Sequence, residues 1–338
     1  MPGQGPGVPV ADMARPLTPR GAGGLMLSVM VRLVLLVLAW LPVVVLPRAH
    51  AADAADTDTF LFQRDYAGRV MVLAMVDGRG PFPFVVDSAA SKTVLFEDLA
   101  RHLRLPLDDF RSRRVMTATG PRRLPLYRLG RVEALGRSVL LRRTVALPQS
   151  RYRVPRAEPQ GLIGLEFLRG GVLAFLGEAG GVRLLPHGGA LPDLDWTVLH
   201  GRPVGYGSLA LDLRVGTVEI PAIVDTGAER SVVNVPAADA LTAENSARYG
   251  KTVFVESANG QVGARELLLD RPLFSDVALN LPRVLVSDLP VFSSFYAHKV
   301  PAMILGADFL FQDKMAIDFR QWRLFITQAG NRPPEADD

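Results

Sequence analysis

Past residue 52 the chain is written in short apolar runs separated by glycine, proline and aspartate. Runs at 70–76, 82–86, 139–141, 172–176, 209–213, 220–224, 267–269 and 315–319 have strand length and are bounded by turn residues. Helical patterns are few and short, one near 96–103 and one near 237–241. Short loops rather than long helices join the runs, which predicts an all-β, barrel-like body. The glycine- and proline-rich stretch 178–196 reads as a linker between two lobes.

Comparing the chain with itself is the step that organises it. The run FPFVVDSAASKT at 82–93 matches IPAIVDTGAERS at 220–231. Each has an apolar strand, an aspartate, two small residues, an alanine, and a hydroxyl residue six places after the aspartate. Downstream, IGLEFL at 163–168 matches LGADFL at 305–310, and between these blocks TATG at 117–120 matches SANG at 257–260. Three matched blocks in one order mark a tandem duplication. The expected layout is a leader at 1–51, a first lobe at 58–185, a linker at 186–197, a second lobe at 198–328 and a flexible tail at 329–338.

The leader changes the charge picture. Residues 33–46 are an unbroken apolar run behind Arg20 and Arg32, followed by Ala49, His50 and Ala51. That is the pattern of a secretory signal peptide, and the run is short for a membrane span. The expected location is periplasmic or secreted, with an uncleaved inner-membrane anchor facing the periplasm as the alternative. The formal charge of +4 comes largely from the leader, which carries Arg15, Arg20, Arg32 and Arg48 against Asp12. No nucleic-acid partner is expected. Between Arg101 and Arg156, however, fifteen arginines face only Asp108, Asp109 and Glu133. That segment is either an Arg-rich solvated surface or a patch for an anionic envelope polymer or membrane surface.

Composition also removes whole classes of chemistry. Without cysteine there is no disulfide, thiolate metal site, cysteine nucleophile or lipoprotein anchor. The five histidines are scattered, with no pair at metal-ligand spacing, so no metal or other cofactor is expected. GYGSLA at 205–210 fits a dinucleotide pattern, yet it leads into a strand and reads as a strand entry. What remains is the duplicated aspartate. A carboxylate at the end of a buried apolar strand is costly unless paired or hydrogen-bonded. A twofold-related pair, Asp87 and Asp225, would share one proton and supply an acid and a base around one water.

These blocks resemble retropepsin-like aspartic peptidases, in particular bacterial envelope members with two such units fused in one chain. The resemblance runs over both halves, from about residue 70 to 326. It implies an acid-protease double β-barrel with two homologous lobes, few short helices and a cleft between the lobes under β-hairpin flaps. It implies an aspartic endopeptidase acting on a peptide or protein substrate, with Asp87 and Asp225 catalytic. Ser88, Ala89, Thr226 and Gly227 fall in the active-site loops, where Ser88 and Thr226 lock the loops together. Gly120 and Gly260 match flap glycines, and Gly164 and Gly306 match structural glycines near each loop. Two fused halves imply a working monomer.

One departure stands out: Ala89 occupies a position that is normally glycine. If that position needs positive φ, alanine there costs on the order of 1 kcal/mol and shifts an amide aimed at Asp87. The alternative function follows from it: a weak or inactive relative that binds peptides or anionic polymer in the same cleft. Ala90 and Ala228 stand where many two-lobed acid peptidases carry a hydroxyl. Losing that donor predicts activity in the weakly acidic to neutral range.

Overall fold

The computed structural model describes residues 60 and 62–327 apart from 118–119, 149–157, 187–188, 258–259, 275–276, 296 and 298. The expected leader at 1–51, the tail at 329–338 and His298 lie outside the described residues.

Each half folds around its matched blocks. In the first, strand Val70–Val76 pairs antiparallel with Arg79–Val86, which runs parallel to Gly161–Ile163 with Val86 opposite Ile163. In the second, Ser208–Val215 pairs with Val218–Val224, which runs parallel to Met303–Leu305 with Val224 opposite Leu305. Most residues of Val70–Val76 and Ser208–Val215 are buried. One face of each is buried along its whole length, while the other opens at Leu73 and Asp212. The matched geometry puts each aspartate at the residue after a buried strand, beside the end of its parallel neighbour.

The halves are tied by a five-stranded sheet that belongs to neither alone. Its order is Val182–Leu185, Val172–Phe175, Met315–Asp318, Arg323–Thr327, Trp196–His200. Val172–Phe175 from the first half pairs antiparallel with Met315–Asp318 from the second, Leu173 opposite Ile317. This corrects the linker reading of 178–196. Val182–Leu185 is a strand with Val182 and Leu184 buried, and Trp196 with Thr197 already belongs to the next strand. Trp196 packs there against Phe325, with ring centroids 6.3 Å apart. One hydrophobic core runs through both halves, with Phe84, Phe167 and Leu211 among its fully buried side chains.

The short helices form where expected, at Glu97–His102 and Val235–Ala243. Asn234 caps the second, its Oδ1 accepting from Ala237 N at 3.0 Å. Three long antiparallel strands go well beyond the short run at 139–141 and the flap expected at Gly120: Leu107–Thr117, Gly120–Ala134 and Arg137–Leu147. They hold ten of the twelve described arginines of the 101–156 segment. Register sets Arg114 opposite Arg123 and Arg128 opposite Arg143. The matching hairpin in the second half is Ala247–Ser257 with Gly260–Leu269. The strand entry at 205–210 is confirmed, with Ser208–Val215 following two left-handed glycines.

Candidate active site

Asp87 and Asp225 leave their strands at equivalent points, and their amides donate to Ile163 O at 2.9 Å and Leu305 O at 3.0 Å. Each chain then turns sharply back on its own carboxylate. Oδ1 of Asp87 accepts from the amides of Ala89 at 2.9 Å and Ala90 at 2.7 Å. Oδ1 of Asp225 accepts from Gly227 at 2.9 Å and Ala228 at 3.1 Å. Two backbone donors per carboxylate fix both carboxyl planes and leave the outer oxygens for chemistry.

Ser88 and Thr226 join the two turns. Ser88 N donates to Thr226 Oγ1, and Thr226 N to Ser88 Oγ, both at 3.0 Å. Ser88 Oγ in turn donates to Val224 O at 2.8 Å, and Thr226 Oγ1 to Val86 O at 2.6 Å. All four bonds cross the lobe boundary and are buried, so the spacing of the aspartates is fixed by groups that have no water to turn to.

Gly227 has a steric reason to lack a side chain. A Cβ there would stand 2.5 Å from Cγ of Asp87. The Asp87 carboxyl therefore lies directly against the second loop. Neither Ala89 nor Gly227 has positive φ, so the backbone strain expected at Ala89 is absent. The Ala89 amide still reaches Asp87 at 2.9 Å. The departure from glycine does not displace that donor.

The electrostatics follow from burial and proximity. Desolvation raises both carboxyl groups, and for Asp225 the charge of Asp87 adds to it, pushing it up to about 8. The loop amides pull each back, and Asp87 is lowered further by Arg69 and by a hydrogen bond with the Asp225 side chain. Two carboxyls in direct contact titrate as a unit that keeps one proton through neutral pH.

Beneath each turn lies a second matched layer. Gly164 and Gly306 start helices Leu165–Leu168 and Ala307–Leu310, whose buried phenylalanines Phe167 and Phe309 anchor them in the core. A Cβ on Gly164 would sit 2.5 Å from the backbone of Lys92, and one on Gly306 2.6 Å from that of Arg230. Gly164 N donates to Thr93 Oγ1 at 3.1 Å, and Gly306 N to Ser231 Oγ at 3.0 Å. Glu166 accepts from Thr93 N at 2.9 Å, while Asp308 accepts from Ser231 N at 2.9 Å and Ser231 Oγ at 2.7 Å. The hydroxyl six places after each aspartate was legible in the sequence. Its acidic partner stood in the matched block but was not singled out.

Gly120 and Gly260 each open the return strand of a hairpin, opposite Thr117 and Ser257. The tips themselves, 118–119 and 258–259, lie outside the described residues. Gly120 has φ +115°, and a Cβ there would be 3.8 Å from Pro290 of the second lobe. The first hairpin thus reaches across to the opposite lobe.

The family model described as aspartyl protease matches the chain twice, at residues 72–167 and 211–309. The chain belongs to the aspartyl protease family. The two matches cover more than half of it and fall one on each lobe, as two fused retropepsin-like halves require. The two-lobed all-β architecture is that of an aspartyl protease. Comparison with curated proteins finds no match. Among the described residues no group of acidic and histidine side chains is placed to hold a metal ion.

Proposed function

We propose that this chain is an exported aspartic endopeptidase that hydrolyses peptide bonds with a water activated between Asp87 and Asp225. The observation that carries the reading is the dyad itself: two buried, amide-braced carboxyls, one from each half, brought against each other. The ionised carboxyl takes a proton from the water as its oxygen attacks the peptide carbonyl. The protonated carboxyl gives its proton to the carbonyl oxygen, forming a neutral gem-diol. In the second step the leaving nitrogen takes a proton from the dyad, the carbon–nitrogen bond breaks, and a gem-diol hydroxyl gives its proton to the dyad as the carboxylic acid forms, restoring the shared proton. Neither a covalent intermediate nor a metal ion enters this scheme.

Export is supported by the apolar run at 33–46 with its arginine flank and the small residues at 49–51. The substrate is a peptide or an extended protein segment. Like charges directly opposite on antiparallel strands repel, and the Arg114–Arg123 and Arg128–Arg143 pairs place several on one meander. This supports an anionic envelope polymer or membrane surface as a second partner, bound away from the dyad. Retention on isolated envelope material that falls steeply with salt would support it, and salt-independent retention would oppose it.

The test of the main reading is incubation of the purified mature chain with a mixed peptide library from pH 4 to 8. Cleavage that resists chelators and serine and cysteine reagents, and is blocked by a statine inhibitor, is expected. Statine places a hydroxyl where the attacking water stands, so it reports on the dyad. Peptide binding without cleavage at any pH would favour the non-catalytic alternative.

A further inference from the structure

The two lobes differ at positions that bear on the dyad. Eighteen residues before Asp87 stands Arg69, whereas eighteen before Asp225 stands Gly207. Four residues after the aspartates stand Ser91 and Glu229. The twofold match that shapes the loops therefore breaks in the charges around them.

Arg69 is held from behind. The Asp65 carboxylate, with no exposure, accepts from Arg69 Nε at 2.8 Å and Nη2 at 2.5 Å. It also accepts from the amides of Ala67 at 3.0 Å and Arg69 at 2.9 Å. So braced, the third guanidinium nitrogen, Nη1, donates across the lobe boundary to Gly227 O at 3.4 Å. Gly227 is the residue whose α-carbon abuts the Asp87 carboxyl. A buried acid in the first lobe thus fixes a cation against the second-lobe loop, within electrostatic reach of both aspartates.

The other cations around this point are paired with acids, as Arg69 is; what sets Arg69 apart is that its charge reaches both aspartates. Lys92 pairs with Glu166 at 3.0 Å, and Arg230 with Asp308 at 3.3 Å. Burial raises the Glu229 carboxyl, while Arg69 and Arg230 pull it down and Asp65 and Asp308 push it up. On the Gly207 side, Arg169 turns its guanidinium to the carbonyl of Tyr206.

We propose that Arg69 is a positioning residue of the dyad: braced by Asp65, it fixes the Gly227 loop and lends the pair an interlobe cation that sets the acid limit of activity. The inference rests on the dyad being the working centre. Below the lower macroscopic pKa both carboxyls are protonated and no base remains. A nearby positive charge favours the ionised form and so preserves the base to lower pH.

The experiment compares full-length mature wild type, Arg69→Gln and Arg69→Lys by two readouts. One is the pH profile of kcat/KM on a neutral peptide. The other is titration of the dyad by ¹³C NMR of labelled aspartate, which needs no turnover. Removing the charge in Arg69→Gln is expected to move the acid limb and the carboxyl titration upward by roughly half to one pH unit. At a pH on that limb this is about a three- to tenfold loss of rate. Arg69→Lys keeps the charge and is expected to leave both close to wild type. A lowered unfolding midpoint in Arg69→Gln with the titration unmoved would overturn the proposal and reduce Arg69 to a tie between lobes. Should Arg69→Gln fail to fold, Arg69→Lys decides: an unmoved limb and titration support the charge argument, and a shift as large as that expected for Gln overturns it. If wild type cleaves no peptide while the titration still moves in Arg69→Gln, the peptidase reading fails and the placement of Arg69 stands.

Discussion

Ser88 and Thr226 each hold the other's backbone, amide to hydroxyl at 3.0 Å, and each hydroxyl then caps the carbonyl that precedes the other's aspartate. The hydroxyls are the mortar of the lobe boundary. Thr226→Val keeps the shape but strands the Ser88 amide and the Val86 carbonyl in a dry site. The expected cost is about 2–6 kcal/mol, from one to three for each of the two buried groups left unpaired. Thr226→Ser keeps the hydroxyl and should stay within about 1 kcal/mol of wild type. Urea unfolding measures both, and equal midpoints for Val and Ser would contradict the role.

The loop glycine and the loop alanine should respond in opposite ways to exchange. Gly227→Ala puts a methyl at the place held by the Asp87 carboxyl, 2.5 Å from its Cγ. The carboxyl must move, and the expected loss of kcat is on the order of 100-fold, the scale of a misplaced reacting group. Ala89→Gly relieves no strain, because φ at 89 is not positive. It should leave kcat within about threefold and cost about 0.4–1 kcal/mol through a more flexible unfolded chain. A large gain in activity from Ala89→Gly would show that the alanine does impair the site.

Stability should fall as pH rises from about 4 to about 8. Burial raises the folded pKa of the dyad above the ordinary aspartate value, so between the two the folded state binds the extra proton. Stability is then fully present below the unfolded pKa and is lost as pH climbs through the folded one. The expected change is a few kcal/mol, and Asp225→Asn, which carries no proton to lose, should flatten it. Unfolding midpoints at half-unit intervals check this. An equal slope in wild type and variant would place the linkage elsewhere.

Hydroxyls at the third position after each aspartate should shift activity toward acid. The amides of Ala90 and Ala228 already donate to the carboxylates, but their methyl groups cannot. Replacing both with serine adds a donor to the ionised form and lowers its pKa. The acid limb of the pH–rate profile should move down by about half a unit or more, an effect of at least threefold at a fixed pH on that limb. An active double variant with an unmoved limb would show that these positions do not govern the dyad.

The parts of this molecule that could be read from sequence are those the duplication wrote twice. Asp87 and Asp225, Ser88 and Thr226, and Gly164 and Gly306 stood out because each had a partner at the same distance in the other half. The same comparison hid what exists once. Arg69 and Asp65 have no counterpart around Gly207, so nothing in the repeat pointed to them. The length of the meander at 107–147 was missed for a different reason: its exposed positions are arginines rather than neutral polar residues. The inward set of Leu124, Leu126 and Val132 therefore read as isolated apolar residues in a charged run. Glycines at 177, 180 and 181 disguised the strand Val182–Leu185 as linker, although they only turn the chain into a β-hairpin. At Ala89 the reading erred by treating a glycine position as a matter of φ. Gly227 shows that the constraint is space.

The most direct test is the peptidase activity of Asp87→Asn and Asp225→Asn beside wild type, at the pH where wild type cleaves fastest. Asparagine keeps the size and the amide hydrogen bonds while removing the proton that the pair must share. Each substitution alone should lower kcat/KM by at least about 1,000-fold, since acid and base act as one unit. Substantial cleavage surviving either change, in folded protein free of other peptidases, would contradict the assignment of the dyad as the catalytic centre.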